Sequence, residues 1–235
     1  MLQNTFDDIV YKKFPMAMNA KDTSIHFLGI LKQKHRFDIS RMLMATSMCS
    51  DEINNPDTSF FNVLIGPFIM GGLGGVPFSG VTGMTAFAHH IPDGGSAFIF
   101  YGPHIGINRD GLLGEVWRPG QQKAGKSCGA LMNALGRMQD PGYRPRQTED
   151  DYQQYFLEKT LIPYRDEIFS SNEPEWAITE KIYEKIDRMI HSYIDQSKKE
   201  FNVQRIALLG GIIINTDNGL DDYFVPHNFE VMVMN

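Results

Sequence analysis

The stretch SAFIFYGPHIGI, residues 96–107, carries the clearest pattern of a buried strand in this sequence. Its apolar residues run up to Gly102 and Pro103, and His104 follows them directly. A similar run, RMLMATSMC, residues 41–49, ends at Cys49. Unbroken apolar runs of this length are typical of strands that are covered on both faces. The two stretches therefore predict two buried strands, with Cys49 and His104 at strand ends.

Helical patterns surround these strands. Residues 1–40 and 127–139 have helical spacing, and a longer amphipathic pattern beginning at Pro174 places isoleucines four residues apart. Two more strands are predicted in RIALLGGIIINTD (205–217) and NFEVMVMN (228–235). This alternation favours one α/β domain over residues 1–235, in which helices flank a central, mostly parallel sheet. The polar, turn-rich segment 140–172 is predicted to be a surface excursion.

Composition excludes several classes of protein. The chain has 235 residues, of which 42% are hydrophobic, and a formal net charge of −6. A dedicated nucleic-acid-binding domain is usually basic, so no nucleic-acid partner is predicted. No apolar run reaches the roughly 20 residues that span a bilayer, so no membrane partner is predicted either. The compartment stays open: the cytoplasm for a prokaryotic source, or the plastid for an algal source after removal of a transit peptide.

The stretch GQQKAGKSCGAL, residues 120–131, has two incompatible interpretations. Its first eight residues fit the P-loop pattern G-x-x-x-x-G-K-[ST], in which Lys126 would contact the phosphates of a nucleotide. A P-loop follows a hydrophobic strand directly, however, and WRP (117–119) stands in that place. Asp217 is the nearest acidic candidate for a magnesium partner. Nucleotide binding therefore remains an alternative.

The other interpretation makes Cys128 a metal ligand. The chain has only two cysteines, and two thiolates with one histidine are an accepted catalytic set for zinc. Among seven histidines, His104 is the strongest third ligand because it stands at a strand end. Asp51 follows Cys49 closely enough to hydrogen-bond a metal-bound water or to become a fourth ligand. A nucleophilic Cys128 with His104 as its base is a further alternative, which leaves Cys49 and Asp51 without a role.

Four motifs together resemble one known family. They are CSDEIN (49–54), GGLGGVPFSGVTGMTAFAHHIPDGG (71–95), FIFYGPHIGI (98–107) and SCGAL (127–131). They are similar to the limiting-CO2-inducible protein B/C family, also called θ-carbonic anhydrases, most densely between residues 42 and 135. The resemblance implies a fold similar to β-class carbonic anhydrases, a homodimer, and a zinc ion (Zn²⁺) held by Cys49, His104 and Cys128.

The implied reaction is the reversible hydration of CO2 to bicarbonate by zinc-bound hydroxide. Asp51 would orient the hydroxide, and His89 or His90 would relay the proton, although packing in a helix explains these two histidines equally well. The implied alternative is a catalytically silent zinc protein that binds bicarbonate or a partner in CO2 concentration.

One residue departs from the β-class pattern Cys-x-Asp-x-Arg, in which the arginine keeps the aspartate off the metal. The arginine position is Ile53 here. We expect either Arg41 or Arg118 to hold Asp51 instead, or Asp51 itself to close the site by binding zinc.

Overall fold

The computed structural model describes residues 2–54 and 60–234. Its strands, in chain order, are β1 Met18–Asn19, β2 Met42–Ser47, β3 Ile65–Ile69, β4 Ser96–Tyr101, β5 His104–Ile107, β6 Glu115–Val116, β7 Gly125–Lys126, β8 Arg205–Thr216 and β9 Tyr223–Val233. Strands β6 and β7 form a separate antiparallel pair, and the remaining seven described strands form the central sheet.

The central sheet has the strand order β1-β9-β8-β4-β2-β3, and β5 pairs with β8. Strands β3, β2, β4 and β8 are parallel neighbours, as are β5 and β8, whereas β9 and β1 are added antiparallel. Every residue of β2 and β4 is buried. The prediction of a mostly parallel central sheet is confirmed, because its middle strands are covered on both faces as their unbroken apolar runs require.

The stretch 96–107 is two strands rather than one. Strand β4 ends at Tyr101 opposite Gly210, and β5 begins at His104 opposite Ile213, so both lie along the same long strand β8. At Gly102 the chain comes so close to β8 that a Cβ atom would lie 1.7 Å from the carbonyl oxygen of Gly211. The prediction that His104 lies at the end of one continuous strand is therefore wrong: it opens β5.

Helices cover both faces of the sheet. They are α1 Leu2–Lys13, α2 Ala20–Gly29 with a π-helical continuation Ile30–Lys34, α3 Phe60–Val63, α4 Gly80–His90, α5 Gly129–Met138, α6 Tyr152–Leu161, α7 Arg165–Ser170 and α8 Pro174–Gln196. Apolar residues of α1 and α4–α8 form the core on one face, and those of α2 and α3 form the core on the other. The isoleucine stripe of α8 is fully buried, as its spacing predicts.

Segment 140–172 is only partly a surface excursion. Residues 140–151 are mostly exposed and contain no helix. From residue 152 onward the chain forms α6 and α7, where Leu157, Leu161 and Ile168 have no exposed surface. The excursion therefore ends near residue 151, because the apolar residues beyond it pack into the core. Among the helices described, none is long and apolar enough to cross a membrane.

Candidate metal centre

Cys49, His104 and Cys128 meet in the core beside the carboxyl ends of the parallel strands. Cys49 lies two residues after β2, His104 is the first residue of β5, and Cys128 directly precedes α5. Their ligand atoms all lie within 4.8 Å of one another, and the two sulfurs are 3.7 Å apart. All three side chains are buried. The three residues expected to hold zinc therefore form one cluster.

The two thiols differ in how readily they ionise. The hydrogen bond from Cys49 lowers the pKa of Cys128, and the backbone N–H groups of Leu131 and Ala130 lower it further, against the effect of burial. The hydrogen bond with Cys128, together with burial, raises the pKa of Cys49. Cys128 is the N-cap residue of α5, where the helix dipole favours negative charge. Cys128 is therefore the more readily ionised of the two thiols, and the thiolate is the form that binds metal.

His104 presents an unsatisfied nitrogen to this cluster. Its Nδ1 atom is 2.6 Å from Oδ1 of Asn215, whereas its buried Nε2 atom has no hydrogen-bond partner among the described residues. A buried nitrogen without a partner is costly, and a metal ligand bond would satisfy it. Burial lowers the pKa of His104, but interactions with Cys49, Asn215 and Asp51 outweigh it and raise that pKa overall. The donors present therefore fit a zinc ion.

Asp51 lies at the edge of the cluster and is held by Arg118. Nη2 of Arg118 is 3.1 Å and 2.9 Å from the two carboxylate oxygens, and Nε of the same arginine bonds Glu52 at 2.8 Å. Oδ2 of Asp51 is 3.9 Å from Nε2 of His104. Burial raises the pKa of Asp51, but its bond with Glu52 and the charges of His104 and Arg118 outweigh it, so this pKa is lowered.

Of the two arginines expected to hold Asp51, the structure selects Arg118. Arg41 directly precedes β2, at the amino edge of the sheet, and donates to the carbonyl of Asp93. Cys49 and Asp51 follow the carboxyl end of the same strand. A strand separates the two positions, so Arg41 is at the wrong edge.

His89 and His90 are not brought into the cluster within one chain. They end α4, which returns from the carboxyl edge to the amino edge of the sheet because it connects the parallel strands β3 and β4. Nε2 of His89 bonds Oε2 of Glu200 at 2.8 Å, and the ring of His90 packs against Phe68 with centroids 5.7 Å apart. Their role as a proton relay stays a prediction that this arrangement does not support.

The P-loop pattern forms no nucleotide cradle. Lys126 belongs to the short β6–β7 pair, is exposed, and lies 3.9 Å from a carboxylate oxygen of Glu115. The strand before the pattern, β6, has two residues and lies outside the central sheet. Helix α5 follows directly after Cys128, which is buried. The pattern therefore lacks the strand of the central sheet that leads into a phosphate-binding loop.

A cavity of about 480 Å³ is lined by Arg118 and by Glu52 and Ile53, the two residues that follow Asp51. Its apolar lining includes Ile53, Trp117 and Leu220, and its charged lining includes Arg118 and Asp222.

Two residues that the sequence analysis did not single out lie behind His104: Asn215 contacts its ring, and Asp222 contacts Asn215. Asn215 could have been found from the sequence, because it is a single amide residue at the end of the apolar run GIIIN (211–215). Such a position predicts a buried polar side chain that needs hydrogen-bond partners.

Comparison with known proteins identifies the family. Residues 20–233 match the family model described as limiting CO2-inducible proteins B/C beta carbonic anhydrases. The chain belongs to this family. Among solved structures it is similar to PtLCIB4, a homolog of the limiting CO2-inducible protein LCIB, with 32% identity and a TM-score of 0.86 over 96% of this chain and 95% of that chain.

The fold similarity extends to LCIB itself. That structure has 22% identity and a TM-score of 0.71, over 95% of this chain and 93% of that chain. No curated protein matches the sequence. As a member of the limiting CO2-inducible B/C family, the chain places its Cys-His-Cys cluster in a fold that the family shares.

Proposed function

We propose that this protein is a zinc-dependent carbonic anhydrase that interconverts CO2 and bicarbonate. Its membership of a family described as beta carbonic anhydrases supports this function. The observation that carries the proposal is the convergence of Cys49, His104 and Cys128 within 4.8 Å, beside a carboxylate held by an arginine. Three protein ligands leave one zinc position open, as catalytic sites require.

The two thiolates and Nε2 of His104 would hold the metal. Thiolate and imidazole donors suit zinc, and the unsatisfied Nε2 atom is the donor that such a site needs. When bound, zinc supplies the Lewis acidity that makes water a nucleophile near neutral pH. Two thiolates donate more charge than imidazoles, so the water here should be less acidic than in a site of three histidines.

Asp51 would orient the attacking water by accepting its hydrogen bond. Arg118 bonds both oxygens of this carboxylate, which keeps Asp51 from closing the site as a fourth ligand. The arginine expected two residues after the aspartate is thereby replaced by one from a distant loop. The apolar lining residues Ile53, Trp117 and Leu220 suit CO2, which is itself apolar.

We also infer a homodimer. Strand β3 is an edge strand within the described sheet, and it exposes Ile65 (42%) and Ile69 (72%). An uncovered apolar edge is a liability that a second copy would remove. Sedimentation equilibrium should give twice the mass of one chain. A monomer across the micromolar range would contradict this inference.

The deciding experiment combines zinc analysis with stopped-flow CO2 hydration. We expect about one zinc per chain and a hydration rate that Asp51→Asn reduces about a hundredfold while zinc is retained. Asp110→Asn, at an exposed position, is the matched control and should leave the rate unchanged. Zinc without hydration would favour the silent zinc protein. A wild-type protein without zinc would reject both.

A further inference from the structure

Asn215 occupies a fully buried position near the end of β8, where it contacts three different parts of the site. Its Oδ1 atom is 2.6 Å from Nδ1 of His104. Its Nδ2 atom is 3.2 Å from the carbonyl oxygen of Ile53 and 3.3 Å from Oδ2 of Asp222. One amide therefore joins the histidine ligand, the loop that carries Asp51 and a carboxylate of the cavity wall.

These contacts fix the orientation of the amide. The carbonyl of Ile53 can only accept a hydrogen bond, so the atom facing it must be the donor Nδ2. The oxygen then faces His104, whose Nδ1 atom must carry the proton and donate it. In a neutral ring Nε2 consequently has a lone pair, and it is the ring nitrogen that has no hydrogen-bond partner among the described residues.

Asp222 holds the amide from its other side. Its Oδ1 atom accepts from the backbone N–H of Thr216 at 2.9 Å and lies 3.3 Å from Oγ1 of the same residue. Asp222 lines the cavity. The chain of contacts thus runs from the cavity wall through Asn215 to the ligand.

We propose that Asn215 is a positioning residue for the metal centre: it selects the His104 tautomer that can bind metal and ties this ligand to the loop carrying Asp51. The effect on metal binding rests on the proposed function, whereas the selection of the His104 tautomer is independent of it. Partners of a ligating histidine usually affect metal affinity 10- to 100-fold, which sets the expected size of the effect.

The first test measures zinc affinity by competition with a chromophoric chelator. Asn215→Ala should bind zinc about 10- to 100-fold more weakly than the wild type. Asn108→Ala is the matched control: this asparagine is also buried, and its Oδ1 atom accepts from the backbone N–H groups of Asp110 and Leu112. It should remain within about threefold of the wild type. An equal loss in both variants, or no loss in Asn215→Ala, would overturn the proposal.

The second test reads the tautomer in metal-free protein by ¹⁵N NMR, at an alkaline pH where the ring of His104 is neutral. The wild type should carry the proton on Nδ1, and Asn215→Ala should show a mixture. Asn215→Asp retains an acceptor for Nδ1 and should retain the tautomer, and the wild-type spectrum alone tests the assignment if neither variant folds. A wild-type proton on Nε2 would overturn the proposal. If the wild type binds no zinc, the proposed function fails, but the tautomer still tests Asn215.

Discussion

Arg118 holds both carboxylate oxygens of Asp51, at 2.9 Å and 3.1 Å, from a position 67 residues further along the chain. The carbonyl of Lys126 and the carboxylate of Glu52 bond the same guanidinium and orient it. The three nitrogens of the guanidinium bond Asp51, Glu52 and the carbonyl of Lys126 at the same time, whereas a lysine has one nitrogen and cannot reach all three groups. The contact fixes the position of Asp51 and contributes to its lowered pKa.

Replacing Arg118 should impair catalysis without removing the metal. In Arg118→Ala the carboxylate of Asp51 loses both hydrogen bonds and can move from its position. Because the carboxylate would then no longer orient the water, we expect a hydration rate about a hundredfold lower than that of the wild type. Arg118→Lys should recover little of it. Arg137→Ala is the control, because it breaks an ion pair between an arginine and the buried Glu158 away from the site. The hydration rate per folded molecule should remain that of the wild type. A normal rate in Arg118→Ala by stopped-flow measurement would contradict this role of the pair.

Removing Cys128 should remove zinc. Elemental analysis of Cys128→Ala should find almost no zinc, because the remaining cysteine and histidine do not form a stable site. Lys126→Ala changes the neighbouring P-loop pattern and should retain both zinc and the hydration rate. Loss of ATP–Mg²⁺ binding in Lys126→Ala, together with a zinc-free wild type, would instead support a nucleotide site.

The free energy of unfolding should fall as the pH rises, because His191 loses its proton. Burial lowers the pKa of this histidine, but the carbonyl of Asp187 and the carboxylate of Glu230 outweigh it and raise the pKa. The folded state therefore binds the proton more tightly than the unfolded state does. The resulting stabilisation is fully present below the unfolded pKa of about 6.5, and it is lost as the pH rises through the folded pKa.

The matched comparison for this effect is His191→Gln. Urea unfolding at pH 5.5 and pH 8.5 should show a larger loss of unfolding free energy in the wild type than in the variant. An equal loss in both proteins would mean that His191 contributes nothing to the pH dependence.

The close approach at Gly102 should make this glycine irreplaceable. A Cβ atom there would meet the carbonyl oxygen of Gly211, and the residue has φ 152°. We expect Gly102→Ala to cost more than about 3 kcal/mol in urea unfolding. Gly136→Ala, in α5 with no atom within 4 Å of the added carbon, should gain about 0.5–1 kcal/mol. Equal stability of the two variants would contradict the packing described at Gly102.

Several elements and the candidate ligands follow from local sequence patterns. Unbroken apolar runs predict β2 and β4, and the isoleucine period predicts α8, because burial on both faces or on one stripe leaves a local pattern. The two cysteines could be chosen by residue type, since few other side chains form such a metal site. His104 followed from its place beside a buried strand.

The contacts between distant side chains are visible only in the folded chain. The tertiary structure selected Arg118 over Arg41, set His89 and His90 at the far edge of the sheet, divided the stretch 96–107 at Gly102, and brought Asn215 to His104. A pattern along the chain reports which residues are buried, but contacts between distant residues depend on strand order and register. Those depend on how all the elements pack together, which no local stretch of sequence encodes.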